Sequence, residues 1–408
     1  MYGAAMKPFT FLLVFAMLTT ADAQFSQQLF DSYDSYRYPD ISSRRFKHAE
    51  LMTHLAALQT RLGGLATMEE AGRSAEGRSI NLLRLGTGKT KVFLWSQMHG
   101  DEPTATMALL DLLHYIALRR ETPEVKAILK QTTLLIIPML NPDGAERFQR
   151  RTSQGIDMNR DALRLQTPEA RVLKSVRDTY QPEIGFNLHD QDPRYSVGDT
   201  GGVAVISLLT PAYNTEKSDN AVRTRAKKVA SALTVTLERF VKGHLAKYDD
   251  TFEPRAFGDN IQKWGTSVVL IESGGWKNDP EKMFIRKLNC VGLLSVFHAV
   301  ADGSYEKFGT APYEAIPMNT KNLYDIIIEK ATVVFPDGRP PLVADIAINK
   351  EEVRQPDGTW WKGRVVDFGD LSVFSAHDVY SGLGKSIDAS IVEMGDIVNV
   401  EELLEKIR

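Results

Sequence analysis

Residues 91–102 read KVFLWSQMHGDE, and the predicted architecture is arranged around them. Its first half is an apolar run of strand length, and its second half carries His99 and Glu102, three positions apart. Pro103 suits the first turn of a helix, and the MALLDLLHYIAL that follows has apolar residues at helical spacing. We therefore expect a strand, a turn and a helix, with an imidazole and a carboxylate at the turn. Such a pair can bind a metal ion, but an isolated His-x-x-Glu pair also arises by chance in many chains.

Apolar runs of strand length alternate with helical patterns from Gly72 to Val300. This alternation predicts an α/β fold, a mixed sheet covered by helices on both faces. Polar residues fall at the carboxyl ends of four predicted strands: His99, Asn141, His189 and Glu272. Because open α/β sheets bind their ligands at this edge, we expect these side chains to form one site.

The pattern of predicted secondary structure changes after about residue 304. Short β-like runs follow, separated by PDG turns at 336–338 and 356–358, and no long helical pattern precedes the end. We therefore expect a catalytic domain over residues 45–305 and a small β-rich accessory domain over residues 310–408.

Residues 1–23 have the pattern of a secretory signal, in which Lys7 precedes the apolar FTFLLVFAML and A-D-A ends at Ala23. The apolar core is too short to span a bilayer. The pattern predicts a mature chain that begins at Gln24 with a lead over residues 24–44, has no membrane span, and is secreted or periplasmic.

Length, net charge and cysteine content limit the number of domains and the kinds of function that the chain can have. The 408 residues are 43% hydrophobic, which is ample for two domains with a large core. A net charge of -3 and the lack of a basic run argue against a nucleic-acid partner. The single cysteine, Cys290, excludes an intramolecular disulfide, and we expect it to be a small buried hydrophobe.

Four motifs follow one another along the chain: MHGDE, NPDGAERFQRRTSQGIDMNRD, FNLHD and LIESGG. In this order they resemble the zinc carboxypeptidases of the M14 metallopeptidase family over about residues 45–300. The resemblance implies Zn²⁺ bound by His99, Glu102 and His189, with Glu272 as general base and acid. Two imidazoles and one carboxylate leave a tetrahedral zinc ion one open position, which is typical of hydrolytic sites. The ion can polarise a carbonyl and lower the pKa of bound water, while a nearby carboxylate moves the proton to the leaving amine.

The resemblance also implies roles for the segment between these ligands. In the family, an arginine after the NPDG turn polarises the scissile carbonyl, and Arg150 matches it better than Arg151. The Asn159-Arg160 pair would hold the substrate's terminal carboxylate, since the planar guanidinium suits a carboxylate. The family also uses a tyrosine from a mobile loop, and spacing alone indicates Tyr248.

Each of these residues has a structural alternative. His99 and His189 could be hydrogen-bonded core histidines, and Glu102 could be a first-turn acid favoured by the helix dipole. Glu272 could belong to a buried ion pair, and Tyr248 could be an ordinary half-buried tyrosine.

The sequence does not decide which substrate side chain the enzyme would prefer. The RAFGDN segment occupies the region that lines this pocket in the family. Phe257 would favour apolar side chains, whereas Asp259 would favour basic ones, and the sequence does not say which of them points inward.

These observations predict a secreted zinc metallocarboxypeptidase that hydrolyses the peptide bond next to a free C-terminal carboxylate. One alternative is a zinc amidohydrolase that acts on N-acyl amino acids or cell-wall peptides, because the same arginines would bind any substrate with a free carboxylate. The other is a non-catalytic, metal-bound binding protein acting through its C-terminal module. The presence of Glu272 argues against it, because such a protein has no need of the base.

Overall fold

The computed structural model describes residues 20–355, 358–392 and 394–407. The helices are α1 (Thr20–Asp31), α2 (His48–Leu62), α3 (Thr104–Leu118), α4 (Pro123–Gln131), α5 (Pro142–Arg147), α6 (Pro168–Tyr180), α7 (Ala221–Glu238), α8 (Phe257–Lys263), α9 (Met283–Asp302), α10 (Ala311–Ala315) and α11 (Val400–Ile407). The strands are β1 (Ala66–Arg73), β2 (Ser79–Leu85), β3 (Thr90–Ser96), β4 (Thr132–Ile137), β5 (Ile184–Asp190), β6 (Ser196–Val197), β7 (Ile206–Leu209), β8 (Leu245–Lys247), β9 (Ser267–Ser273), β10 (Asn319–Thr320), β11 (Leu323–Val334), β12 (Leu342–Gln355), β13 (Gly358–Gly369), β14 (Ser375–Ser381), β15 (Ser386–Asp388) and β16 (Ile397–Val398).

The chain divides into two compact units. The first comprises the described residues up to Pro193 together with Ala204–Asn319, and the second comprises Arg194–Val203 together with the described residues from Thr320 onward. The division at Asn319 falls later than the expected boundary near residue 310. A ten-residue stretch inside the expected catalytic domain, Arg194–Val203, belongs to the second unit.

The first unit is built on an eight-stranded sheet with the order β1-β2-β4-β3-β5-β9-β7-β8. The central strands β4, β3, β5 and β9 are parallel, whereas β1, β2 and β7 join the sheet through antiparallel pairs. Helices α6 and α8 pack on one face around Trp95 and Phe257, and α9 packs on the other, where Phe297 contacts Phe186. The expected mixed sheet with helices on both faces is confirmed.

Several local predictions agree with these elements. The predicted hairpin is β1 and β2, joined at Gly77, whose φ of 82° suits glycine. The predicted helix over residues 168–180 is α6. The helices that were not predicted are α1, α4, α5, α8, α10 and α11; α1 spans Ala23, the expected cleavage site. Residues 1–19 of the expected signal lie outside the described residues.

Helix α9 forms the centre of the first unit. By length and composition alone it could cross a membrane, with a mean hydropathy of 1.3, yet 78% of its most apolar window is buried inside the protein. Cys290 on this helix is fully buried, as expected.

The second unit is β-rich, as predicted. Its sheet has the order β14-β11-β12-β13-β16, and β15 also pairs with β11. Branched residues such as Ile326, Ile346 and Val365 form its core. The first PDG turn lies between β11 and β12, with φ of 83° at Gly338, whereas residues 356–357 of the second lie outside the described part of the chain.

Candidate metal centre

One edge of the large sheet gathers the polar residues at the strand ends. His99 and Glu102 lie in the connection between β3 and α3, while His189 and Glu272 lie in the last two residues of β5 and β9. These two strands are parallel neighbours, and His189 is the register partner of Glu272. Because side chains in register on parallel strands share a face, the imidazole and the carboxylate stand side by side.

Two histidines contact the same carboxylate. His99 Nδ1 lies 2.8 Å from Glu102 Oε1, and His189 Nδ1 lies 2.7 Å from Glu102 Oε2. One ligand atom from each residue lies within 4.8 Å of the others, and the three residues are between 2% and 8% exposed. A carboxylate shared by two buried imidazoles is an arrangement suited to a cation, because imidazole and carboxylate are both common metal ligands.

Close backbone packing shapes the turn that carries this pair. A Cβ on Gly100 would lie 2.0 Å from the backbone carbon of Gly144, so only glycine fits there. Asn141 braces the same turn, since its Nδ2 donates to the Met98 carbonyl at 3.3 Å and its Oδ1 accepts from Gly144 N at 2.9 Å. The role of Asn141 at this edge is therefore to join the NPDG turn to the metal-site loop.

Asp157 belongs to the site and was missed by the sequence analysis. Its Oδ1 lies 3.2 Å from His99 Nε2, on the ring side opposite Glu102. A carboxylate in this position keeps the proton on Nε2 and leaves the Nδ1 lone pair for a metal. The available signal was an acid two residues before Asn159, in the same motif as the predicted arginines.

Arg150 reaches the cluster, and its neighbour does not. The guanidinium of Arg150 lies 3.1 Å from His99 Nδ1 and 3.4 Å from Glu102 Oε1, and it also contacts Asp157 at 3.0 Å. Arg151 instead donates to the Gly155 carbonyl. The side chain of Arg150 is 45% exposed, so it lies at the mouth of the site.

Asn159 and Arg160 lie beside the same segment but contact other partners. Asn159 Oδ1 accepts from the backbone N of Phe257 at 2.9 Å, which ties the start of α8 to this loop. Arg160 Nε lies 3.3 Å from Glu253 Oε2. The guanidinium of Arg160 is thus already engaged with a carboxylate.

Tyr248 lies away from the ligand strands. It follows β8, the outermost strand, and its backbone N donates to the Leu208 carbonyl at 2.9 Å. Strand β7 separates it from β9. The structure does not bring Tyr248 into the cluster formed by the other predicted residues.

The electrostatics of the site favour a cation. Burial lowers the pKa of His99, but the carboxylates of Glu102 and Asp157 outweigh burial and raise it to about 9. Burial lowers the pKa of His189 and outweighs the effect of Glu102. Burial opposes ionisation of Glu102, yet the two histidines lower its pKa. The negative potential that favours a proton on His99 also favours a metal ion.

Glu272 has the opposite environment. Burial raises the pKa of its carboxyl group well above the usual range, and the negative charge of Glu102 raises it further, while His99 and Arg150 partly offset both effects. A carboxyl group with a raised pKa can hold and release a proton near neutral pH.

The donor set fits zinc. Two imidazole nitrogens and one carboxylate are common zinc ligands in hydrolytic sites, and Asp157 provides the outer carboxylate that often accompanies a ligand histidine. The Nε2 atom of His189 is buried without a hydrogen-bond partner among the described residues, so its Nδ1 is the atom that faces the cluster.

Part of the chain is similar to known zinc carboxypeptidases. Residues 51–193 match the family model of the M14 peptidases, described as zinc carboxypeptidase. Carboxypeptidase 2 of Trichophyton rubrum is 30% identical over 132 residues, which cover 30% of this chain and 24% of the fungal protein. Carboxypeptidase M of Mus musculus is 29% identical over 170 residues, covering 36% of this chain and 38% of the mouse protein. The chain thus spans less than half the length of these curated relatives.

Solved structures show the same fold. A metallo-carboxypeptidase from Burkholderia cenocepacia has a TM-score of 0.52 and 18% identity, covering 63% of this chain and 70% of that chain. Bovine thrombin-activatable fibrinolysis inhibitor, solved with a tick carboxypeptidase inhibitor, has a TM-score of 0.51 and 15% identity. The match covers 64% of this chain and 98% of the bovine chain. Residues 51–193 are therefore similar to the zinc carboxypeptidases of the M14 family.

Proposed function

We propose that this protein is a zinc-dependent metallocarboxypeptidase that hydrolyses the peptide bond next to a free C-terminal carboxylate. The observation that carries the proposal is the convergence of three metal-type ligands on one sheet edge with a buried carboxyl group beside them. A purely structural metal site would need the three ligands but not Glu272. Burying a carboxyl group costs free energy, so the presence of Glu272 favours a catalytic site.

His99, Glu102 and His189 would hold the zinc ion, with Asp157 orienting His99. When bound, zinc supplies a Lewis acid for a carbonyl oxygen and lowers the pKa of water. Glu272 takes the proton from the attacking water and returns it to the leaving amine, a role supported by its raised pKa.

Arg150 donates hydrogen bonds to the scissile carbonyl oxygen as negative charge develops there. Its partly exposed guanidinium beside His99 supports this role. Asn159 and Arg160 hold the substrate's terminal carboxylate, for which Arg160 would exchange its present partner, Glu253. For Tyr248 the support remains its spacing in the sequence alone.

The test pairs zinc analysis with hydrolysis. Purified protein is assayed for bound zinc by elemental analysis and for release of C-terminal residues from a mixed peptide library by mass spectrometry. We expect about one zinc per chain and stepwise trimming. Glu272→Gln should keep the zinc and lose hydrolysis. A variant as active as the wild type would contradict the role of Glu272 as general base and acid.

The same assay separates the alternative functions. Zinc without peptide trimming, but with hydrolysis of N-acyl amino acids or cell-wall peptides, would indicate the amidohydrolase. Zinc without hydrolysis of any of these substrates would indicate the binding protein.

The proposal includes export of the protein. The charged, apolar and small-residue pattern of residues 1–23 supports a secreted or periplasmic location. Cleavage after Ala23 would remove Asp22, which contacts His298 Nδ1 at 3.1 Å. N-terminal sequencing of protein recovered from the medium or the periplasm tests the site; a chain retained in the cytoplasm with residues 1–23 intact would contradict export.

A further inference from the structure

A buried ion pair lies beside the candidate metal centre. Lys282 Nζ lies 3.2 Å from Asp190 Oδ2, and the two side chains are only 10% and 6% exposed. Burying two charges costs free energy that their mutual attraction often does not recover, so such a pair is weak evidence for stability. Its position at the ligand-bearing edge of the large sheet points instead to a role in the site.

Asp190 connects two of the predicted ligands. It directly follows His189 at the end of β5, and its backbone N donates to Glu102 Oε2 at 3.3 Å. Asp190 Oδ2 accepts a hydrogen bond from Thr104 Oγ1 at 2.6 Å, and Thr104 begins α3, two residues after Glu102. Asp190 therefore ties the end of β5 to the start of α3.

Lys282 extends these contacts to the strand that carries Glu272. Its Nζ donates to the Ser273 carbonyl at 3.0 Å, and Ser273 directly follows Glu272 at the end of β9. Ser273 and Asp190 are register partners on the parallel strands β5 and β9. A single ammonium group thus bridges the carboxyl ends of both strands, one residue beyond His189 and Glu272.

The backbone of Lys282 is in an unfavourable conformation. Its φ of 55° and ψ of 32° lie in the left-handed region, where Cβ crowds the following carbonyl oxygen. Such residues persist only where the surrounding structure fixes them, and they cluster at functional sites. Lys282 directly precedes α9, and its carbonyl accepts from the Arg286 backbone N at 2.8 Å. The strained backbone and the buried charge thus occur together at the residue that reaches both strand ends.

We propose that Lys282, Asp190 and Thr104 are positioning residues for the metal centre. Their hydrogen bonds hold the end of β5 against the start of α3, next to the ligands, and keep Glu272 at a fixed place beside them. This rests on the proposed function. Groups in the shell around metal ligands orient those ligands, and their loss typically costs about 10–100-fold in metal affinity or activity.

The first measurement is the rate of zinc release. Zinc-loaded full-length protein is mixed with an excess of a chromogenic chelator, and release is followed by absorbance. We expect Lys282→Met to release zinc about 10–100-fold faster than the wild type. Thr104→Val, which has nearly the same shape but no hydroxyl, should show a smaller increase. Thr104→Ser keeps the hydroxyl and should stay close to the wild-type rate.

The second measurement is steady-state hydrolysis of a C-terminal dipeptide. Lys282→Met should lower kcat by about 10–100-fold, because Glu272 and the ligands lose their fixed geometry. KM should change by less than about threefold, because the predicted substrate-binding arginines lie on another segment of the chain. A variant that was merely less stable would lower the amount of active protein without this pattern of faster zinc release.

Two control variants remove similar groups elsewhere. Lys227 on α7 has a side chain that is 12% exposed and pairs with Asp219 at 2.6 Å and Glu314 at 3.0 Å, none of which adjoins a predicted site residue. Thr132 is a buried threonine at the start of β4, the opposite end of the sheet. Lys227→Met and Thr132→Val should leave zinc release and kcat unchanged. Thermal melting identifies any variant that fails to fold, and Thr104→Val keeps the test decisive if Lys282→Met is one of them.

The outcomes separate this inference from the proposed function. Wild-type zinc release in both Lys282→Met and Thr104→Val, or an equal increase in Lys227→Met, overturns the inference. Faster zinc release from the Lys282 and Thr104 variants, without hydrolysis by the wild-type protein, supports the inference and contradicts the proposed function. Hydrolysis by the wild type, with the same zinc release and kcat in every variant, does the reverse.

Discussion

At the scale of single residues, the site depends on which side chain each carboxylate faces. Asp157 holds His99 from the side opposite Glu102, so the ring is fixed by two acids. Glu272 lies beside the same cluster, where burial and the charge of Glu102 raise its pKa. Neighbouring carboxylates thus differ in protonation because their surroundings differ.

Arg150 should act on the transition state more than on substrate binding. We expect Arg150→Met to lower kcat by about 10²–10³-fold with a small change in KM, because a donor to the developing oxyanion is lost. Arg151→Met is the matched control, since the Arg151 guanidinium donates to the Gly155 carbonyl at 3.0 Å. Steady-state kinetics on a C-terminal dipeptide measures both variants, and equal losses in the two would contradict the assignment.

Asp259 should make stability depend on pH. Burial raises its pKa from 3.8 to about 6, so the folded state retains a proton that the unfolded state has already lost. Stability should therefore fall as the pH rises from about 4 to about 6 and then level off.

Asp259→Asn should remove this fall, because the amide oxygen can still accept from the Glu253 backbone N–H. The variant should be more stable than the wild type by about 1–3 kcal/mol at pH 7, and equally stable near pH 4. Urea unfolding at the two pH values measures the difference. Parallel pH curves for both proteins would contradict the prediction.

At the scale of elements, a buried ion pair between α9 and α3 also binds residues 33–41 through hydrogen bonds. Arg286 on α9 and Asp111 on α3 are fully buried and form two contacts of 2.6 and 2.7 Å. Asp111 also accepts from the Tyr33 hydroxyl and the Tyr38 backbone N–H, while Arg286 donates to the Ile41 carbonyl. These bonds join residues 33–41 to two core helices.

Arg286→Met should destabilise the protein by about 3–5 kcal/mol, because Asp111 would remain buried without its counter-charge. Chemical denaturation measures the loss. The double variant Arg286→Met with Asp111→Asn should recover part of the stability. Exposed ion pairs contribute only about 0–1 kcal/mol. If the free energy of unfolding of Arg286→Met lay within about 1 kcal/mol of the wild-type value, the role of this pair would be contradicted.

At the scale of the whole molecule, the two units are not consecutive in sequence. Residues 194–203 leave the first unit and join the second. Within the second unit, Arg194 pairs with Asp325 at 3.1 Å, and Ser196 Oγ donates to the Thr320 carbonyl at 3.1 Å. Asn322 also donates to Asp199 at 3.0 Å.

A chain truncated after Asn319 should therefore expose residues 194–203. It loses at least these three interactions, each of about 1 kcal/mol, so opening of this stretch should rise by about tenfold or more. Limited trypsin digestion with mass spectrometry should show faster cleavage after Arg194 than in the full chain. Full-length Asp325→Ala, which removes one of the three, should show a smaller increase, and an unchanged rate in the truncated chain would refute the prediction.

The sequence was sufficient for the fold class and for the grouping of the predicted ligands. Strand-length runs and helical periodicity arise from burial patterns that are local, so the mixed sheet and α6 could be read directly. His99, His189 and Glu272 could be grouped before the structure was known, because parallel strands end at a common edge.

Other features depended on contacts between distant segments. No local pattern shows that Asp157 faces His99, that Arg150 and not Arg151 turns inward, or that Tyr248 lies beyond β7. The contact of Lys282 with Asp190 is likewise invisible in the sequence, since the two residues lie 92 positions apart. Local patterns in the sequence indicated the strands and long helices of the large sheet and the side-chain types at the candidate site, because both follow from local chemistry. Which of these groups meet is set by the folded chain, because hydrogen bonding and burial depend on packing between residues far apart in the sequence.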